Sequence, residues 1–240
     1  MSDKLTDNID VVREVVKNNP DAIKFASDRI KNDSKFMEEY QQIKQDVEQR
    51  KREKDEEQKQ KMLAKVDEYK DKEIWWNDPS IVNYEKLNEV ITDDMISRIE
   101  QKYNKRLPKG YIELVKKQNG GRLIKRYFVT DNEQVFVVDS ILGISSNTST
   151  SSSIEYKTDR LRAEMKDWGL TAANPDNIIV LGEDESGGHA NYIFDYSELN
   201  EQGKPKISYF DNELDQKTLV ANSFNDFISK LKIKEEVEID

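Results

Sequence analysis

The stretch from Ile178 to Tyr196 restricts the fold more than any other part of the chain. An apolar run, Ile178-Ile179-Val180-Leu181, leads into a loop that holds Glu183, Asp184 and Glu185, the glycines Gly187 and Gly188, and the only histidine of the protein, His189. A second run follows in which Tyr192, Phe194 and Tyr196 recur at every second residue. A period of two places those rings on one side of a strand. The segment therefore predicts two strands of a sheet joined at an acidic, glycine-bent loop. Its residue types leave three roles open: a metal site, a catalytic site or a recognition edge.

Composition narrows these roles. The 240 residues carry a net charge of -10, 36% charged side chains and no cysteine, with a mean hydropathy of -0.88. That polarity is high for one compact core, so part of the chain is expected to be an exposed helix or linker. Absence of cysteine removes disulfides and thiolate metal sites. The N-terminal residues lack the apolar core of a signal peptide, and no apolar run approaches the length of a membrane span. A soluble, cytoplasmic protein is the expectation. The charge is uneven: residues 1–72 hold 17 basic and 18 acidic side chains, residues 73–130 hold 11 and 8, and residues 131–240 hold 10 and 22. The acidity belongs to the part that contains the predicted hairpin. Such a surface repels nucleic acid and attracts basic partners.

Along the chain, residues 1–33 read as a small helical hairpin. Ile9, Val12, Val15 and Val16 are at helical spacing after Asn8, and Pro20-Asp21 starts a second helix with Ile23, Phe25, Ala26 and Ile30. The run Val11 to Ser27 resembles a short tandem helical repeat of unknown function. Residues 34–72 contain no Gly or Pro and read as one long helix, capped near Asp33-Ser34. A helix of about 38 residues would extend roughly 57 Å. Phe36, Tyr40, Ile43 and Val47 form one apolar stripe, and Met62, Leu63, Val66 and Tyr69 another; Glu48 to Lys61 has no apolar side chain. Within that gap Glu48/Arg52, Lys51/Asp55, Arg52/Glu56, Asp55/Lys59 and Glu57/Lys61 are opposite charges four apart, which support an exposed helix. The segment predicts a solvated spacer. The polar gap argues against a continuous coiled coil, so a monomer is favoured over a dimer formed through this helix.

Residues 73–234 read as a separate α+β domain. Trp75-Trp76 suggests a lid on a core, ended by Asn77-Asp78-Pro79. Thr92 caps a helix with Met95, Ile96, Ile99 and Tyr103 inward, and Leu107-Pro108 opens another with Tyr111, Leu114 and Val115, stopped by Asn119-Gly120-Gly121. Strands are predicted over 125–130 and 135–144, and a helix over 154–168 with Leu161, Met165 and Trp168 inward. The hairpin, a strand over 206–210 and a last helix complete the domain; Phe224, Phe227, Ile228 and Leu231 form the inner stripe of that helix after a Ser223/Asp226 capping box. Residues 235–240 read as a frayed acidic tail.

An ordered set of motifs within this domain resembles the SUKH superfamily, the Smi/Knr-type domain. It comprises Leu107-Pro108 with Tyr111 and Asn119-Gly120-Gly121, then Ile141-Leu142-Gly143-Ile144, Trp168-Gly169, Ser186-Gly187-Gly188-His189, Phe194-Asp195-Tyr196, Phe210-Asp211-Asn212-Glu213 and Phe224 with Phe227-Ile228. The match covers roughly residues 74–232 and leaves the N-terminal third unexplained. Two positions depart from the pattern: Ala190 stands where an Asp often follows the His, and Asn104 stands where a Gly often ends the first helix. The resemblance implies a twisted, mostly antiparallel sheet packed by helices. It also implies non-catalytic binding of proteins. Bacterial members resemble immunity proteins that neutralise a toxin, commonly a nuclease; fungal relatives resemble cell-wall regulators that work through protein contacts.

Charge and resemblance together give the expected function: a non-catalytic module that binds a basic toxin through an acidic surface, with a regulatory scaffold as the alternative. Glu183, Asp184, Glu185, Asp211, Glu213 and Asp215 are the candidate contacts, with His189 and Asp195 beside them. His189 has no second His, no Cys and no adjacent Asp, so a structural role at the bend is preferred to ligation or catalysis. No phosphate-binding glycine loop, G-x-S-x-G or H-E-x-x-H is present. No cofactor, metal, nucleic acid or membrane is expected as a partner.

Overall fold

The structure is a computed structural model that describes residues 6–69, 73–76 and 86–239. The chain divides into two compact units between Lys65 and Val66.

In the first unit, α1 (Ile9–Asn18) starts at Asn8, whose side chain accepts from the Asp10 and Val11 amides. Pro20–Phe25 forms the second short helix, as a 3-10 helix. Ser27 breaks the run and caps α2 (Asp28–Lys31). The 3-10 path turns Phe25 outward, 60% exposed, whereas Val12, Val16, Ala26, Ile30, Phe36 and Tyr40 close a small core. The long helix α3 (Ser34–Tyr69) begins where Asp33 accepts from the Phe36 amide at 2.9 Å. Arg13 ties α1 to it by paired bonds to Glu39 at 2.6 and 3.1 Å. Every residue from Glu48 to Lys61 is exposed. Of the five pairs the sequence offers there, Glu57–Lys61 closes, at 2.6 Å.

The second unit is built on a six-stranded antiparallel sheet, order β1-β4-β5-β6-β7-β8. Its strands are β1 (Gly121–Arg122), β4 (Ser140–Ile141), β5 (Ile178–Glu183), β6 (Ala190–Leu199), β7 (Pro205–Asp211) and β8 (Gln216–Ala221). A separate ribbon pairs β2 (Tyr127–Val129) with β3 (Val135–Val137). The two strands predicted over 125–130 and 135–144 are therefore shorter and interrupted; Val138 and Asp139 separate β3 from β4. Strand β8 escaped the sequence reading, as did α8 (Lys234–Ile239), which replaces the predicted frayed tail. Ile233, nearly fully buried, anchors that last helix, and the Glu236 carboxylate accepts from the Ile233 amide at 2.7 Å.

Helices cover both faces of the sheet. Tyr192 and Phe194 of β6 meet α5 (Lys109–Lys117) and α7 (Phe224–Ser229): Tyr111 stands edge-on to Phe194 at 5.5 Å and to Phe224 at 5.7 Å, and Tyr192 lies 5.7 Å from Phe227. Tyr196 keeps to the same side and donates to the Arg106 carbonyl. The alternation predicted for these rings is what the fold uses. On the other face α6 (Ile154–Trp168) lies over β5, and the Val180 amide donates to the Thr158 hydroxyl at 2.9 Å. Helix α4 (Asp93–Tyr103) buries Met95, Ile96, Ile99 and Tyr103, as the sequence indicates. One residue of α6 corrects the sequence reading: Trp168 follows the stripe of Leu161 and Met165, yet it is 61% exposed. It is the last residue of the helix.

Near the first edge, residues 73–76 run beside β1, with Trp75 bridged to Leu123 and only 3% exposed. Asn77-Asp78-Pro79 lies outside the described residues. At the end of α5, Asn119 is buried and replaces missing ladder bonds: it accepts from the Ile144 amide at 2.7 Å and donates to the Ile144 carbonyl at 2.8 Å. Removing it strands both Ile144 groups in the core. Asn119→Ala should lower unfolding stability by about 2–4 kcal/mol in urea titration. Asn119→Asp, which keeps the acceptor but not the donor, should recover less than half of that loss.

Candidate functional site

Three loops converge at one end of the sheet. The pairing of Ala190 with Asp211, and of Glu183 with Asn191, sets the β5–β6 loop beside the β7–β8 turn. Gly187 and Gly188 bend the first loop at φ 77° and 106°, a region that penalises a side chain. Asn212, at 3% exposure, stitches the two together: its amide donates to the His189 carbonyl at 2.9 Å, its side chain donates to the Gly188 carbonyl at 3.3 Å, and it accepts from Asn191 at 3.2 Å.

The third loop is the one that follows α6, and Asp215 attaches it. The carboxylate of Asp215 accepts from the Thr171 amide at 3.0 and 2.9 Å, from the Thr171 hydroxyl at 3.0 Å and from the Ala172 amide at 2.9 Å. These bonds, the Ala172 amide first and then Thr171, hold the Asp215 carboxyl below the usual carboxylate range. Asp215 itself adopts a left-handed backbone, φ 47°.

The predicted residues separate by what holds them. Glu183 is mostly buried and paired with Lys157 at 2.5 Å. Asp184 accepts from the Ser186 amide at 3.0 Å and from the Tyr209 hydroxyl at 2.8 Å. Burial, with that bond second, pushes the Tyr209 hydroxyl up from its ordinary value. Glu185 is largely exposed and touches Arg126 at 2.8 Å. Asp211 closes the β7–β8 turn by accepting from the Glu213 and Leu214 amides, both at 2.9 Å. His189 and Glu213 form an open surface pair at 2.7 Å. Asp195 is a correction. It is on the sheet face opposite Tyr192 and Phe194, is 0% exposed and is bound by Lys217 at 2.7 Å, so a partner cannot reach it.

Of the candidates, then, Glu185, His189 and Glu213 present most of their side chains to solvent, and Asp167 in the last turn of α6 joins them. Sequence reasoning missed Asp167 and two apolar neighbours, Trp168 and Leu214, the latter 64% exposed. The signal for Leu214 was its place between Glu213 and Asp215 in a four-residue turn, where a core contact is out of reach. Across residues 164–172, 183–189 and 211–215 the chain carries Glu164, Asp167, Glu183, Asp184, Glu185, Asp211, Glu213 and Asp215 against a single basic side chain, Lys166. Arg126, Lys157 and Arg160 reach in from outside these segments to Glu185, Glu183 and Glu164. Chemically this end is a rigid array of acceptors and negative charge. Among the described residues, no group of three His, Cys, Asp or Glu side chains is placed to hold a metal ion.

Residues 90–230 match the model of the SMI1 / KNR4 family (SUKH-1). Residues 8–48 match a domain of unknown function, DUF4116. No curated protein matches the chain. Among the described residues, no helix is long and apolar enough to cross a membrane.

The capping carboxylate makes a testable pH dependence. A carboxylate held low in the folded state stabilises the fold at neutral pH, and this contribution fades as pH falls below about 4 and the group protonates. Asp215→Ala should therefore lower the melting temperature clearly at pH 7 and much less at pH 3. Equal losses at both pH values, measured by circular dichroism, would contradict the role assigned to the carboxylate.

Proposed function

Because the chain belongs to the SMI1 / KNR4 family (SUKH-1), we propose that it is a non-catalytic protein-binding module of the immunity type. Its partner is a cognate toxin with a basic surface, of which a nuclease is the leading class, and binding blocks that surface. No cofactor takes part. The observation that carries this reading is the convergence, at one end of the sheet, of two acidic loops with the loop that follows the acidic last turns of α6, held by Asn212 and Asp215. A nuclease presents cations to phosphate, and a fixed array of carboxylates competes for the same cations. Like charges held in a rigid frame also steer a basic partner into register and speed association.

A regulatory scaffold is the second reading. It draws on the all-exposed stretch from Glu48 to Lys61 and on the separate N-terminal unit. It makes the acidic end incidental.

The two readings part in one experiment. The genes flanking this one are searched for a large secreted protein, its C-terminal domain is produced with the chain, and protection and binding are measured. The exposed carboxylates are the ones to reverse, since a lysine at Glu183 would face Lys157 and disturb the fold. Asp167→Lys, Glu185→Lys and Glu213→Lys together should slow association by about 10- to 100-fold at low salt and flatten its salt dependence. Full protection and an unchanged association rate with this triple variant would remove the acidic end from the binding surface, and no protection or binding by the wild-type chain would favour the scaffold reading.

A further inference from the structure

The carboxylates explain attraction, and two exposed apolar side chains share their segments. Trp168 and Leu214 are the two large apolar side chains most exposed in the loops of this end, at 61% and 64%. Scattered exposed apolar residues are ordinary on a protein surface. These two differ in how they are held. Trp168 ends α6, and Gly169 follows in a left-handed cap whose amide returns to the Met165 carbonyl. The Leu170 amide bonds the same carbonyl at 2.9 Å. Thr171 and Ala172 are then fixed by Asp215, the residue next to Leu214. The turn that carries Leu214 is itself closed by Asp211. A short chain of capped and hydrogen-bonded backbone thus connects the two apolar side chains, and neither loop needs to order on binding.

Resting on the proposed function, we infer that Trp168 and Leu214 form the apolar centre of the toxin-binding surface, and that the carboxylates form its rim. The occupant is a folded basic protein with an apolar depression framed by lysine or arginine. Charge complementarity selects it. Asp167 adjoins Trp168, Asp211 and Glu213 precede Leu214, and the C-terminal end of α6 adds the negative pole of its helix dipole. Lys166, in α6, is the single basic side chain of residues 164–172, 183–189 and 211–215. An exposed tryptophan beside acidic residues has the composition of an interface anchor, where a large flat side chain loses water and the rim excludes it. The division of labour follows from the physics: rim charges set the association rate and its salt dependence, and the apolar centre sets the lifetime of the complex.

The test uses the full chain and the same neighbouring toxin domain, with rate constants from surface plasmon resonance at two salt concentrations. Trp168→Ala should weaken binding roughly 30-fold or more, almost wholly through faster dissociation, with the salt dependence of association unchanged. Leu214→Ala should act in the same direction, and Trp168→Phe should recover part of the loss. Both truncated side chains are exposed, so the melting temperature of each variant should stay at the wild-type value and serve as the folding control. If the triple charge reversal slows association while Trp168→Ala and Leu214→Ala dissociate like wild type, this inference is overturned and the acidic-surface reading stands. If the wild-type chain does not bind the toxin domain, both are overturned.

Discussion

Strand β6 is buried on both faces from Ala190 to Asp195, and the rest of the second unit is arranged to make that burial tolerable. A central strand of this kind can expose no polar atom to water, so each one needs a partner inside the protein. Its backbone is satisfied by β5 and β7. Its apolar face is filled by Tyr192 and Phe194 against Tyr111, Phe224 and Phe227. Its other face carries two polar side chains, and each has a dedicated partner: Asn212 for Asn191 and Lys217 for Asp195. Glu198 also reaches Lys217, at 3.2 Å, which spreads the lysine charge over two carboxylates.

The same requirement shapes the functional end. Asn212 is there because Asn191 needs it, and in meeting that need it also binds the carbonyls of Gly188 and His189. The acidic loop is thereby rigid as a by-product of core satisfaction. Asp215 repeats the pattern on the next turn by capping the amides after α6. Two side chains of modest size thus convert three loops into one surface. For a module that works by presenting charge and an apolar anchor, such preorganisation matters more than the number of carboxylates, because little ordering entropy is lost on binding.

Several carboxylates that look alike in the sequence do different things. Glu183 and Asp195 neutralise lysines at or below the surface, Asp211 and Asp215 bond backbone amides, and Glu185 and Glu213 face water. The sequence gives them equal status because it shows neither depth nor the lysine that arrives from another strand. Trp168 illustrates the opposite error. Its spacing from Leu161 and Met165 assigns it to the core, and spacing does not tell how far along a helix the buried face continues.

Periodicity and turn chemistry alone determined much of this protein. The hairpin of β5 and β6, the helices capped by Thr92 and Ser223, the helix from Ile154 and the long uninterrupted helix from Ser34 were all legible, because their causes are local. The acidic bias of the C-terminal half was legible too. Tertiary structure decided what is not local: that β8 completes the sheet, that Ile233 anchors a final helix, that Asp195 is buried against Lys217, and that Asp215 joins the turn of Leu214 to the loop after Trp168. Those outcomes depend on which segments meet after the chain has folded, and a side chain 44 residues from its partner leaves no pattern of its own in the sequence.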